Sequence, residues 1–121
     1  MAKLQKRQKT AFGDFLVQEI KHAGMSQEAF YNAVGIAKPT FYGLITAAPP
    51  PPDLQYRMLS VLEEKTGKDP VRRNKLLDLA AQGRDEIPAD IDALIKTSAD
   101  NWDYIRVVLE KMTITHVSDR S

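Results

Sequence analysis

The chain has no cysteine, which excludes disulfides, thiolate zinc sites and cysteine nucleophiles. It has only two histidines, His22 and His116, far apart in sequence. It carries no Ser-His-Asp set, HExxH, P-loop or dinucleotide signature, so neither catalysis, a metal nor a cofactor is expected. Nothing approaches the roughly 18 continuous apolar residues of a membrane span. The basic start, Met1-Ala2-Lys3-Leu4-Gln5-Lys6-Arg7, has no apolar core behind it and does not read as a signal peptide. A cytoplasmic protein without membrane association is the natural expectation.

What is present is a chain of 121 residues, enough for one real hydrophobic core. Its net charge of +1 is unevenly spread, with +5 over residues 1–75 and −4 over residues 76–121. A basic front half suits phosphate, and the acidic rest would then face away; the alternative is an unevenly charged solvated surface.

The apolar pattern is helical throughout, with no alternating strand segment. Residues 1–9 read as a flexible basic arm. Phe12, Phe15, Leu16, Ile20 and Ala23 recur at helical spacing, and Gly24 can end that helix in the left-handed region. Ser26 is positioned to cap a second helix, with Phe30, Ala33 and Val34 inward and Gly35 as its stop. A third short helix is expected from about Lys38 to Thr46, with Pro39 tolerated in its first turn. Ala47 to Pro52 cannot be helix interior, and reads as a stiff spacer or, alternatively, as a proline-rich peptide ligand. Asp53 is expected to cap a fourth helix ending at Gly67, and Asp69-Pro70 to start a fifth ending at Gly83. Pro88 opens a sixth helix, and Asp100 is read as the cap of a seventh that frays from about Thr113.

The most informative stretch is Met25 to Thr46. Two short helices meet through Gly35, and Phe30, Val34, Ile36, Phe41 and Leu44 sit where they can pack the pair at a steep angle. That is the pattern of a helix-turn-helix, whose second helix projects its outer face into a DNA major groove. The run Gly24-Met25-Ser26-Gln27-Glu28, the turn Val34-Gly35-Ile36 and the segment Phe41-Tyr42-Gly43-Leu44 resemble the phage-repressor-like (Xre-type) helix-turn-helix family. The resemblance covers about residues 10–83. It implies an all-α fold, a five-helix lambda-repressor-like DNA-binding domain, followed over residues 84–121 by a C-terminal two-helix extension.

Three positions depart from the family pattern. Tyr31 stands where a small residue is usual, so it must turn outward or the helix angle must open. Ala37 cannot cap the third helix as a serine would. Ile45 is apolar where Glu or Gln is common, and is expected to lean on helix four or on a partner.

The resemblance implies that Gln27 bonds a DNA phosphate at the start of the second helix. It implies that Lys38, Thr40, Tyr42 and Gly43 face bases or phosphates, with Pro39 and Gly43 permitting close approach. Gln27 and Thr40 read otherwise as plain exposed polar residues, and Tyr42 as a half-buried packing residue. Lys3, Lys6, Arg7 and Lys9 form a second candidate DNA site, like the basic arm of the lambda repressor, or else a solubilising start. Lys65, Lys68, Arg72, Arg73 and Lys75 cluster near the junction of helices four and five, as a phosphate clamp or a solvated face. Trp102, Ile105, Val108, Leu109 and Met112 form a stripe on the last helix, either core packing or the seam of a homodimer or partner interface.

The implied function is that of a sequence-specific regulator. It would bind double-stranded DNA at a palindromic operator as a homodimer, most often to repress. The rivals are an antitoxin-type regulator that also binds a toxin, and a protein-interaction adaptor with weak or no DNA binding.

Overall fold

A computed structural model describes residues 8–120, with side chains as far as Thr113. Among the described residues every regular element is helical: α1 (Ala11–His22), α2 (Gln27–Val34), α3 (Lys38–Thr46), α4 (Pro52–Thr66), α5 (Pro70–Arg84), α6 (Ala89–Lys96) and α7 (Trp102–Arg120). A single 3-10 turn over Ala99–Asn101 precedes α7. The all-α class expected from the sequence is what the chain adopts. No helix among the described residues is long and apolar enough to cross a membrane. The chain divides into two compact units, residues 1–89 and 90–121.

Local chemistry sets several of the helix ends in the first unit. Thr10 and Ser26 accept bonds from the Gly13 and Ala29 amides, each at 3.0 Å, capping α1 and α2. Asp69 accepts from the Val71 and Arg72 amides at the head of α5, where Pro70 is the first helical residue. Phe12, Leu16 and Ile20 of α1 meet Phe30 and Val34 of α2, Phe41 and Ile45 of α3, Met58, Leu59 and Leu62 of α4, and Leu76, Leu77 and Ala80 of α5 in one core. Fully burying each large apolar side chain contributes about 1.5–3 kcal/mol. Ala33, expected inward, is exposed, at the edge of the Phe30–Val34 row.

Three helix boundaries differ from those expected. Asp53 does not cap α4, because Pro52 is already its first residue and the uncapped Pro51 precedes it. Asp100 lies inside the 3-10 turn rather than at the α7 cap, and α7 runs on past Thr113 to Arg120. Gly83 does not end α5. The helix passes through it to Arg84, and Asp85 takes the left-handed C-cap at φ 57°.

The reason for a glycine inside α5 is Pro49. A Cβ on Gly83 would stand 2.5 Å from Pro49 Cγ and 2.9 Å from its Cδ. Pro49 and Pro50 are fully buried, and their carbonyls accept bonds from Arg84 Nη1 at 3.3 Å and Gln55 Nε2 at 2.9 Å. The proline run is thus the stiff connector between α3 and α4 and not an available peptide ligand, because Pro49 and Pro50 are buried. Ordinarily, alanine for glycine in a helix gains about 1 kcal/mol. At Gly83 the rigid pyrrolidine reverses the sign, and Gly83→Ala is expected to cost about 2 kcal/mol in urea denaturation. Adding Pro49→Ala should recover part of that loss, since it removes the clashing atoms.

In the second unit, no described residue of 90–113 is buried. Asp92 and Lys96 pair at 2.8 Å one helical turn apart, and this partner holds the Lys96 ammonium above its ordinary pKa. Trp102 is 41% exposed, with its indole N–H donated to the Ile95 carbonyl at 2.6 Å. Of the two readings of the α7 stripe, core packing within this chain's own unit is therefore overturned for Trp102, Val108, Leu109 and Met112, all of which stay exposed.

Candidate nucleic-acid interface

The turn between α2 and α3 is built from backbone first. Gly35 sits at φ 94°, a region that side-chain-bearing residues avoid. Its amide and that of Ile36 bond back to the Tyr31 carbonyl at 2.9 and 3.0 Å, closing the end of α2 in a Schellman-type turn. Arg57 of α4 adds a bond of 2.7 Å from Nη2 to the Val34 carbonyl. A cation at the carbonyl end of a helix is favoured by the helix dipole. Arg57 thereby fixes the turn to the scaffold, a role that no local pattern around it announces.

The pairing of α2 and α3 is aromatic. Phe41 lies edge-on to Phe30 at a centroid separation of 6.1 Å, and against Tyr31 at 5.5 Å. Tyr31, where the resemblance leads one to expect a small residue, is half-buried on Phe41 rather than turned away. Ile45 is buried in the core, not offered to a partner. Ala37 makes no side-chain cap, as its chemistry dictates.

The outer surface of this pair carries the residues singled out from the sequence. Gln27, the first residue of α2, is exposed. Lys38, Pro39 and Thr40 are exposed in the first turn of α3, and Tyr42 is 37% exposed. At 100° per residue, Pro39 and Gly43 lie along the middle of the outward face. Lys38 and Tyr42 share one flank of it, and Thr40 occupies the other. Lys38 is the single charged residue of α3. Lys9 is exposed next to Thr10, whose amide donates to the Ile45 carbonyl at 2.9 Å, so it sits beside the C-terminal end of α3. Lys3, Lys6 and Arg7 lie outside the described residues.

Gly43 differs from the five other glycines. Gly24, Gly35 and Gly67 have positive φ, and Gly13 and Gly83 have neighbours that a Cβ would strike. Gly43 is helical and a Cβ on it would meet nothing within 4 Å. Its own fold gives no reason for a residue that weakens a helix. Gly43→Ala is therefore expected to raise stability by roughly 0.5–1 kcal/mol in thermal unfolding. If a partner's surface comes up against this face, the same methyl group should weaken binding.

The basic residues near the junction of α4 and α5 differ in their surroundings. Arg72 is buried, with bonds of 2.6 Å to Thr66 Oγ1 and to the Gly67 carbonyl at the end of α4. Arg73 reaches Glu63 at 3.4 Å and lies over the Tyr56 ring, and Lys75 lies over Phe15. These contacts tie α5 to α4 and α1, while Lys65, Lys68 and Lys75 are exposed. His22 is exposed and pairs with Glu19 at 3.4 Å.

No family model, curated protein or solved structure matches this chain.

Proposed function

We propose that this chain is a sequence-specific regulator that binds double-stranded DNA through a five-helix, lambda-repressor-like domain of the Xre type formed by α1–α5. It acts in the cytoplasm as a homodimer on a palindromic operator, most often to repress. The observation that carries this reading is the glycine at the centre of the exposed face of α3, flanked by Lys38 and Thr40. A glycine without internal purpose is suited to letting another backbone approach closely.

The mechanism follows from the chemistry of that face. Positive charge on the first unit draws in the duplex, and α3 enters the major groove. Lys38 contacts guanine O6/N7 or a phosphate from one flank, and Thr40 bonds a base or touches a thymine methyl from the other. Tyr42 stands beside Lys38, while Pro39 and Gly43 keep the middle low. Gln27 bonds a phosphate from the start of α2, fixing register without reading sequence. Bound across a promoter, the protein blocks access.

The test is selection from a random duplex library by the purified protein at fixed salt. A palindromic site with half-sites about one helical turn apart, or a multiple of it, is the expected product. No enrichment at any salt concentration that permits binding would sink the reading. The open apolar residues of α7 favour a second reading, an antitoxin-type regulator or an adaptor whose main partner is a different protein.

A further inference from the structure

We infer that Arg57 is a positioning residue for base recognition: through the Val34 carbonyl it holds the head of α3, where Lys38 and Thr40 stand, at the tilt that sequence discrimination needs. The inference deepens the DNA reading proposed above and rests on it for its meaning on the duplex.

The two ends of α3 are held differently. At the C-terminal end, Gly13 lets α1 come against the Ile45 backbone, and the Thr10 amide donates to the Ile45 carbonyl at 2.9 Å. Ile45 and Thr46 are buried there. At the N-terminal end Ala37 supplies no cap, and Lys38, Pro39 and Thr40 are all exposed. The first buried residue of α3 is Phe41, and it rests on Phe30 and Tyr31 of α2. The head of α3 therefore goes where the end of α2 goes.

That end is where Arg57 acts. Its Nη2 donates to the Val34 carbonyl at 2.7 Å, and a Cβ on Gly35 would stand 3.2 Å from the same nitrogen, so the guanidinium lies against the turn itself. Apolar packing of α2 on α4 is non-directional and tolerates sliding, whereas a hydrogen bond fixes a distance and an angle. A charged donor makes that bond about twice as strong as a neutral one. The lever is short: seven residues put Lys38 about 10 Å from Ile45. A tilt of about 6° at the Ile45 end then displaces Lys38 by about 1 Å, twice the roughly 0.5 Å within which a recognising group has to be held. Arg57 is exposed, so its loss bears on geometry more than on the core.

The experiment compares the full chain with Arg57→Met and, as a milder cut, Arg57→Gln. Without DNA, amide hydrogen exchange should speed up about tenfold at Gly35, Ile36 and Phe41, whose bonds close the turn and begin α3, and stay as it was at Ile45 and Thr46. On DNA, at a temperature where thermal unfolding shows every variant folded, preference for the selected over a scrambled duplex should fall about tenfold, the worth of one weakened base contact. The salt dependence should not change, because no phosphate contact is removed. Arg57→Lys, whose ammonium reaches the same carbonyl, should regain most of both. Unaltered exchange at the turn, or unaltered preference for the selected duplex, overturns the proposal. So does an Arg57→Lys protein no better than Arg57→Met. Equal weakening on all duplexes with a flatter salt dependence overturns it too, because Arg57 then touches phosphate itself. The exchange measurement needs no DNA: a parent that selects no duplex removes the DNA reading, and exchange still decides whether Arg57 holds the head of α3.

Discussion

Gly13→Ala is expected to remove about 3 kcal/mol of stability, a large share of the 5–15 kcal/mol typical of a domain. At Gly13, α1 passes directly over the end of α3. An added Cβ would overlap the Ile45 carbonyl oxygen, with the carbonyl carbon at 2.7 Å and the Cα at 2.8 Å. These are backbone atoms and cannot rotate aside. The Ile45 carbonyl is also held by the Thr10 amide at 2.9 Å, so moving it breaks a bond. The two helices must part, opening the contact between Phe12, Leu16 and Ile45 in the core. Urea denaturation measures the effect, with Gly43→Ala as the paired control in which the same substitution meets open space. A Gly13→Ala protein within roughly 0.5 kcal/mol of the parent would mean that the helices do not approach so closely.

The second large effect is on binding. Replacing Lys38 and Thr40 together by alanine should change stability by no more than roughly 0.5 kcal/mol per exposed site. Discrimination between selected and scrambled duplex should fall by about 1–3 kcal/mol for each lost base contact. Because the two side chains lie on opposite flanks of α3, their single effects should add. If Lys38 meets a phosphate instead of a guanine, its loss should weaken all sequences alike and flatten the salt dependence. Thermal unfolding and titrations at one fixed salt give both quantities. A folded double variant that discriminates like the parent would take base reading away from α3.

The parts of this fold that were legible in the sequence are those set by neighbours in the chain. Ser26 as a cap, Gly35 at positive φ, the limits of α3 and the Asp69-Pro70 start all depend on three or four consecutive residues. What escaped depends on distant ones. Gly83 reads as a helix stop because glycine often is one, yet its partner is Pro49, far away in sequence. The proline run reads as a connector by composition, which it is, and only the packing of α5 shows that Pro49 and Pro50 are buried. Arg57 and Arg72 look like surface cations, and each closes a helix end through a carbonyl that no sequence pattern links to it. At the candidate site Gln27, Lys38, Thr40 and Tyr42 were named through the resemblance to the helix-turn-helix family, and the structure leaves them exposed. The division of α3 into two flanks around Gly43 needed the burial of Phe41 and Ile45 to orient the helix.

The bond from Thr10 to Ile45 also gives the N-terminal segment a fixed mooring. Nine residues drawn out fully reach about 30 Å. Lys3, Lys6 and Arg7 are therefore leashed to the C-terminal end of α3, whatever path they take. If these charges meet DNA in the proposed complex, that reach is shorter than one turn of the duplex and confines them to the half-site of their own α3. It has a practical side as well: a purification tag or fluorophore placed at residue 1 works within that radius of α3. A label intended to leave DNA binding undisturbed belongs at the other end of the chain.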